Sequence, residues 1–276
     1  MSEFDFAQVD VFTATPLKGN PLAVVLAAEA LSTEQMAGFA NWTNLSETSF
    51  LLPPTRPEAD YRVRIFTPGA ELPFAGHPTL GSAHVWLAAG GKPKGAEIIQ
   101  ECPAGLIRIR RDGARLAFAA PPVTQGEVEP DTLARIAASL RIRPADIRDA
   151  CILSEYAPAW IGVLLADREA VLALQPDGAA MGELEIGVVG PGEGETQFEV
   201  RGFFAPDGGM REDPVTGSLN GGLARWLIGA GIAPARYVAA QGTCIGRAGR
   251  IHVRQEGADF WIGGDVVTCI TGRLAL

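Results

Sequence analysis

The 276-residue sequence predicts an α+β protein made of two homologous halves. Three observations support this fold class. Strand-like segments are more numerous than helices in each half and do not alternate with them as βαβ units would. A small-residue segment with the pattern Pro-x-x-Gly-Ser occurs twice, 136 positions apart, at Pro78 and Pro214. A β-hairpin signature follows each segment, and a chain of this length with ordered repeats is expected to form two domains.

The first domain is expected to cover residues 1–120. Apolar patterning predicts its strands at 6–11, 22–26, 49–52, 61–66 and 96–101. The capping-box spacing of Ser32 and Gln35 indicates a helix from about Thr33. A second helix is expected to begin at Pro78, because proline is favoured in the first turn of a helix.

The second domain is expected to cover residues 121–264, after a proline-rich linker. Its predicted strands include 160–165 and 199–204, and its predicted helices are 131–140, 168–174 and one from Pro214. The tail 265–276 has no counterpart in the first half and is expected to pack on it. Few charges interrupt the Pro78 and Pro214 helices, as is typical of helices enclosed by sheet. Each domain is therefore predicted to wrap a mixed or mostly antiparallel sheet around a central helix.

Further landmarks repeat in the same order. Residues 105–116 and 249–260 share the pattern I-x-[IV]-R-x-[DE]-G-A of a β-hairpin. Upstream of the central helices, Val-Arg pairs at 63–64 and 200–201 precede Pro68 and Pro206 respectively. The ordered set argues for duplication of about 130 residues.

Composition excludes several classes of partner and site. A net charge of −9 and a pI near 4.9 offer no basic surface for nucleic acid or an anionic membrane. The apolar runs are too short to span a bilayer and the acidic start lacks the basic region of a secretory signal, so the cytoplasm is the expected compartment. Neither a metal site nor a disulfide framework is predicted, because ligand-like spacing is missing from Cys102, Cys151, Cys244 and Cys269.

Two titratable residues occupy matching positions in the repeats. His77 precedes Pro78 at a helix start, beside free backbone N–H groups, although a buried hydrogen-bonded imidazole is the structural alternative. Asp213 precedes Pro214 in the same way, and helix capping alone would explain it. The equivalence of His77 and Asp213 favours a two-sided acid/base site.

Glu47 lies between a predicted helix and a predicted strand. Most loop glutamates are solvated and have no catalytic role. The apolar neighbours Leu45, Phe50 and Leu51 would favour proton transfer by Glu47 near neutral pH if it faced a closed cleft.

Four motifs, GNPLAVV, NLSETSF, FAGHPTLG and REDPVTGS, together resemble the phenazine-biosynthesis (PhzF-like) family of isomerases over nearly the whole chain. The resemblance implies a two-domain fold similar to that of diaminopimelate epimerase, with Glu47, His77 and Asp213 lining a cleft between the domains. It implies that the glutamate shuttles a proton between two carbons of a cyclic amino acid without a cofactor. It also implies a homodimer, and it places Asn20 and Ser46 in substrate-binding motifs.

The leading hypothesis is a cofactor-independent isomerase acting on a small carboxylate-bearing compound. Backbone N–H groups near Gly76, Gly217 and Ser218 would hold the substrate carboxylate while Glu47 moves the proton. A non-catalytic small-molecule binding or scaffolding protein on the same fold and an amino-acid racemase remain alternatives. The two-thiol chemistry of the related epimerase fold is excluded, because no cysteine lies in either helix-start segment.

Overall fold

A computed structural model describes residues 2–154, 159–205 and 209–276 of the protein, so the repeat landmark Pro206 lies outside the described residues. The chain divides into two compact units. The first comprises Met1–Ala119 with Gly263–Leu276, and the second comprises Ala120–Ile262. Both units combine a mixed sheet with few helices, which confirms the predicted α+β fold class.

The helices are α1 (Thr33–Thr43), α2 (Gly76–Ala88), α3 (Pro130–Leu140), α4 (Arg168–Leu172), α5 (Gly178–Met181) and α6 (Gly217–Gly229). The first strands are β1 (Glu3–Val11), β2 (Asn20–Val25), β3 (Glu47–Leu52), β4 (Tyr61–Phe66), β5 (Glu71–Leu72), β6 (Ile98–Cys102), β7 (Gly105–Asp112), β8 (Arg115–Ala119) and β9 (Thr124–Gly126). The remaining strands are β10 (Asp149–Ser154), β11 (Trp160–Leu164), β12 (Glu185–Pro191), β13 (Phe198–Phe204), β14 (Arg211–Asp213), β15 (Arg236–Gln241), β16 (Gly249–Glu256), β17 (Asp259–Gly264) and β18 (Val266–Ala275).

The sheet of the first unit has the strand order β18-β1-β2-β3-β4-β6-β7-β8. Neighbouring strands are antiparallel except for two parallel pairs, β2 with β3 and β4 with β6. A parallel pair needs a crossover connection, and here the crossovers carry α1 and α2. The sheet is therefore mixed.

Helices cover both faces of this sheet. Helix α2 packs against β1, β2, β3 and β8, and most of its length is buried. Helix α1 contributes Met36 and Phe39 to a separate apolar cluster that includes Val25. Since side chains alternate along a strand, Leu22 of β2 faces α2 while Val25 faces α1.

The second unit repeats this arrangement. Its strand order is β9-β10-β11-β12-β13-β15-β16, with β11–β12 and β13–β15 as the parallel pairs. Helix α6 packs against β10, β11 and β16, while α3 and α4 contribute to a cluster with Ile186 and Val188 of β12. From β10 onward the order, directions and helical crossovers match those of β1 to β7 in the first unit.

The C-terminal strand belongs to the first unit. β18 pairs antiparallel with β1 from Glu3–Ala275 to Val11–Val266. Leu274 and Leu276 pack against the α1 cluster. In the part of the chain that the structure describes, we find no helical segment that could span a lipid bilayer.

Candidate active site

Three predicted site residues of the first unit stand at the starts of neighbouring elements. Asn20 begins β2, Glu47 begins β3, and His77 is the second residue of α2. β2 and β3 are parallel neighbours, with Leu22 opposite Glu47. Both strands therefore begin at the same end of the sheet. Glu47 is thus a strand residue rather than the loop residue that the sequence predicts. Strand pairing fixes its backbone.

These three side chains are in contact. The amide Nδ2 of Asn20 lies 3.4 Å from Nδ1 of His77. On the other side of the ring, Nε2 of His77 lies 3.3 Å from Oε2 of Glu47. Asn20 and His77 are buried, and 16% of the Glu47 side chain is exposed. A carboxylate with limited access to solvent therefore faces a buried imidazole.

Burial determines the charge of this imidazole. Loss of water around the charged form lowers the pKa of His77 from 6.5 to about 3, so the ring is neutral at physiological pH. A neutral imidazole has one N–H and one acceptor nitrogen. With Asn20 donating to Nδ1, the ring proton lies on Nε2, the nitrogen that faces Glu47.

The remaining predicted residues of the first unit flank this trio. Gly76 is buried and is the first residue of α2, while Ser46 is half-buried in the bend before β3. The residue that precedes the helix, Ala75, provides no side-chain acceptor for the first helical N–H groups. The start of α2 can therefore offer backbone donors to an anion.

In the second unit the predicted helix start is wrong. Helix α6 begins at Gly217, three residues after Pro214, and Thr216 occupies the N-cap position. Asp213 is the last residue of β14, where it pairs with Gly202, so the chain is still extended at this point. Asp213 is consequently not a helix cap. Gly217 and Ser218 do form the first turn of α6.

Asp213 instead belongs to a side-chain network that no sequence motif marks. The hydroxyl of Thr216 donates to Oδ2 of Asp213 over 2.5 Å. Gln241, at the end of β15, contacts both Thr216 and Asn220 of α6. The only sequence signal for Gln241 is a polar residue that ends an apolar strand before a glycine.

A second carboxyl group lies near Asp213. Burial, and then the charge of Asp213, raise the pKa of Glu185 from 4.5 to about 7. Glu185 begins β12 and is half-buried. No sequence motif marked it.

No group of three or more His, Cys, Asp or Glu side chains in the described ranges is arranged to hold a metal ion. Cys102 and Cys151 are buried, Cys244 and Cys269 are exposed, and all four are free thiols.

Comparison with known proteins shows what this chain resembles. A family profile described as phenazine biosynthesis-like protein matches residues 9–272. A Schizosaccharomyces pombe protein named Antisense-enhancing sequence 1 is 35% identical over 295 residues, with 99% of each chain covered. The trans-2,3-dihydro-3-hydroxyanthranilate isomerase of Pseudomonas aeruginosa is 33% identical over 258 residues, which cover 92% of this chain and 91% of the relative.

Solved structures of similar proteins also superpose on this chain. A predicted epimerase from Pseudomonas aeruginosa superposes with a TM-score of 0.81 at 25% identity, with 99% of each chain covered. A PhzF-family protein from Bacillus anthracis gives a TM-score of 0.84 at 21% identity over 100% of each chain, which supports the fold alone. These findings confirm the predicted family and the prediction of an isomerase. The chain belongs to the phenazine biosynthesis-like (PhzF-like) family of isomerases.

Proposed function

We propose that this isomerase moves a proton between two carbon atoms of a small, cyclic, carboxylate-bearing substrate, with Glu47 as the proton carrier and without a cofactor. The observation that carries the proposal is the buried contact of His77 with Asn20 on one side and Glu47 on the other. Strand pairing and a helix start hold the three side chains, and such fixed geometry is what proton transfer to carbon requires.

The neutral state of His77 suits Glu47 to the role of a base. An imidazolium 3.3 Å away would stabilise the carboxylate and make it a weaker base. A neutral ring at this distance leaves the carboxylate a stronger base than an imidazolium would. Glu47 would take the proton from one carbon as a carboxylate and return it to the other carbon as a carboxylic acid.

The substrate carboxylate would bind to backbone N–H groups. Neither central helix has a side-chain cap on its first turn, since Ala75 precedes α2 and Thr216 makes no capping hydrogen bond at α6. Gly76, Gly217 and Ser218 are the residues that we propose for this contact. Ser46 and Asn20 would add polar contacts to the substrate.

Asp213 would assist the transfer as an ionised carboxylate. Its hydrogen bond from Thr216 supports that state, because a donor stabilises the charged form of a carboxyl group. The substrate class rests on the relative from Pseudomonas aeruginosa, whose name specifies a dihydro-hydroxyanthranilate, a cyclic carboxylate.

A racemase using the same residues is the second candidate, favoured by likeness of fold to a probable proline racemase at a TM-score of 0.64. A racemase would invert a stereocentre, whereas the proposed isomerase would shift a double bond. The product therefore distinguishes them.

Solvent exchange tests the proposal. The protein is incubated in D₂O with trans-2,3-dihydro-3-hydroxyanthranilate, and in parallel with L-proline, and the products are followed by proton NMR. We expect deuterium incorporation and a shifted double bond with the anthranilate derivative only. Inversion of proline would favour the racemase instead.

The variant Glu47→Gln should slow exchange by about 10²- to 10⁴-fold, the usual contribution of general acid/base catalysis. Glu58→Gln is the matched control, because Glu58 is exposed and lies outside the site. Wild-type exchange rates in Glu47→Gln would remove Glu47 from the mechanism.

A further inference from the structure

Gln241 is a buried glutamine. Its side chain makes four hydrogen bonds, all to the turn of residues 213–216 or to the start of α6. Its Oε1 accepts hydrogen bonds from the backbone N–H of Thr216 at 3.1 Å and from Nδ2 of Asn220 at 2.9 Å. Its Nε2 donates to the backbone carbonyl of Asp213 at 3.2 Å and to Oγ1 of Thr216 at 2.9 Å. The residue is fully buried.

The chemistry of these partners fixes the orientation of the amide. A backbone N–H can only donate, so the atom facing Thr216 N must be Oε1. A backbone carbonyl can only accept, so the atom facing Asp213 O must be Nε2. Since Nε2 also donates to the hydroxyl of Thr216, the single hydroxyl proton is left to donate to Oδ2 of Asp213. Gln241 therefore determines which way Thr216 donates.

Glycines surround this turn. A Cβ at Gly242, which follows Gln241, would lie 2.6 Å from the carbonyl oxygen of Pro214. A Cβ at Gly249 would lie 2.4 Å from Cγ2 of Val215, and one at Gly202 would lie 3.1 Å from Oγ1 of Thr216. The backbone of β13, of β16 and of the residue after β15 thus approaches the turn closely, which leaves the turn little freedom to move.

The first unit contains a comparable pair of hydrogen bonds, but the last acceptor in it is a backbone carbonyl. Gln100, on β6, is also fully buried and donates from Nε2 to Oγ1 of Thr79 at 3.0 Å. The hydroxyl of Thr79 then donates to the backbone carbonyl of Ala75 at 2.9 Å. In the second unit the same Gln-to-Thr relay ends on a side-chain carboxylate instead. The second relay can therefore affect a titratable group.

We propose that Gln241 is a positioning residue that, through Thr216, aims the carboxylate of Asp213 and keeps it ionised for the proton transfer. The inference rests on the proposed function, in which Asp213 assists Glu47. Gln241 itself touches no reacting atom.

Other charged groups near Asp213 must be considered in any test of its ionisation. Glu185 of β12 interacts with Asp213 through its charge. Glu212 precedes Asp213 on β14 and forms a buried ion pair with Arg201 of β13 at 2.8 Å. Substitutions at Thr216 and Gln241 leave these three residues unchanged.

The test uses Thr216→Val, which removes the hydroxyl and keeps the shape, and Gln241→Met, which removes the amide. The titration midpoint of the Asp213 carboxyl carbon is measured by ¹³C NMR on the whole protein, with assignment by Asp213→Asn. We expect both variants to move the midpoint to higher pH by about one unit and to lower kcat about tenfold, with a smaller change in KM. Thr216→Ser, which keeps a hydroxyl, should show the wild-type titration midpoint of Asp213 and the wild-type kcat.

Two further comparisons separate positioning from general damage. The double variant should lose no more activity than the larger single loss, because both changes break one relay. Gln255→Met serves as the matched control, since the Gln255 side chain donates to the carbonyl of Gly257 within its own turn, at an exposed site.

The outcomes distinguish this inference from the proposed function. An unchanged Asp213 midpoint in both Thr216→Val and Gln241→Met would overturn the positioning role, even if Asp213→Asn is inactive. Full activity of Asp213→Asn would contradict the role of Asp213 in the proposed function. In that case a shifted midpoint would show that the relay exists without serving catalysis.

Discussion

At the scale of single residues, burial decides what His77 can do. The sequence offers a histidine at a helix start, which could be cationic or neutral. The surrounding core removes water from the ring and lowers its pKa to about 3, so the neutral form prevails over the physiological range. Asn20 and Glu47 then determine which nitrogen carries the proton.

This burial predicts a pH-dependent stability. The unfolded state protonates His77 near pH 6.5, whereas the folded state does so only near pH 3, so the folded protein binds fewer protons between these values. The contribution of His77 to stability is complete above pH 6.5 and is lost progressively as the pH falls towards 3. Between pH 7 and pH 5 this loss amounts to about 2 kcal/mol.

Urea unfolding of the wild type and His77→Gln at both pH values measures this effect. We expect the variant to lose about 2 kcal/mol less free energy of unfolding than the wild type between pH 7 and pH 5. His84→Gln is the control, because His84 is only half-buried and bonded to Thr268 at 2.9 Å, and should show a smaller difference. Equal pH dependence of wild type and His77→Gln would contradict the buried neutral state.

At the scale of elements, the central helix α2 depends on close approach to its sheet. A Cβ at Gly81 would lie 2.5 Å from Cδ2 of Leu22, and 3.1 and 3.2 Å from the Cγ2 atoms of Val9 and Val11. These side chains are fully buried and have no room to withdraw. Gly38 of α1 has no heavy atom within 4 Å of the same position and is exposed.

The two glycines therefore predict opposite effects of alanine. Gly81→Ala should lower the free energy of unfolding by about 1–3 kcal/mol through overpacking. Gly38→Ala should raise it by about 0.5–1 kcal/mol, because alanine loses less backbone entropy in a helix. Chemical denaturation of both variants checks the pair. A stabilised Gly81→Ala would mean that α2 can move away from β1 and β2.

Local signals predict elements well where the interaction is itself local. The capping box of Ser32 and Gln35 is present at the start of α1, as predicted. The predicted start of helix α6 at Pro214 was wrong, because strand pairing of Asp213 with Gly202 keeps the chain extended there. That pairing involves a distant strand and leaves no signal in the local motif. Several strands were not predicted, among them β10, β12 and β15 of the second unit. The short strands β5 and β14 were also missed, since two or three residues carry no periodicity.

At the scale of the whole molecule, the C-terminal strand completes the first unit. β18 pairs along the full length of β1, and its last residues Leu274 and Leu276 cover the cluster of Phe4, Val25 and Phe39. The chain thus leaves its first unit after β8 and returns to it at the end.

Removal of residues 266–276 should consequently destabilise the first unit. We expect the β1 amides that bond to β18 to lose protection against hydrogen exchange, because their partners are gone and apolar side chains become exposed. Hydrogen exchange followed by mass spectrometry on the full and truncated chains measures this. Unchanged protection of β1 would show that β18 adds little to the unit.

The duplication visible in the sequence corresponds to the matched strand orders of the two units. Paired side chains follow the same plan: Arg64 bonds Glu71 and stacks on Phe66, while Arg201 bonds Glu212 and stacks on Phe203. Offsets between these pairs vary by a few residues. The fixed offset of 136 positions therefore aligns the two sequence motifs, but it does not align the start of α2 at Gly76 with the start of α6 at Gly217.

The sequence alone determined the fold class, the family and the residue types of the candidate site, because each is expressed in short motifs and in the order of repeats. The tertiary structure decided what those residues can do. Asn20 and His77 are 57 positions apart, and their contact exists only because a strand and a helix start meet in one core. The neutral state of His77 and the orientation of Asp213 by Gln241 follow from burial and from bonds between distant segments, which no local pattern encodes.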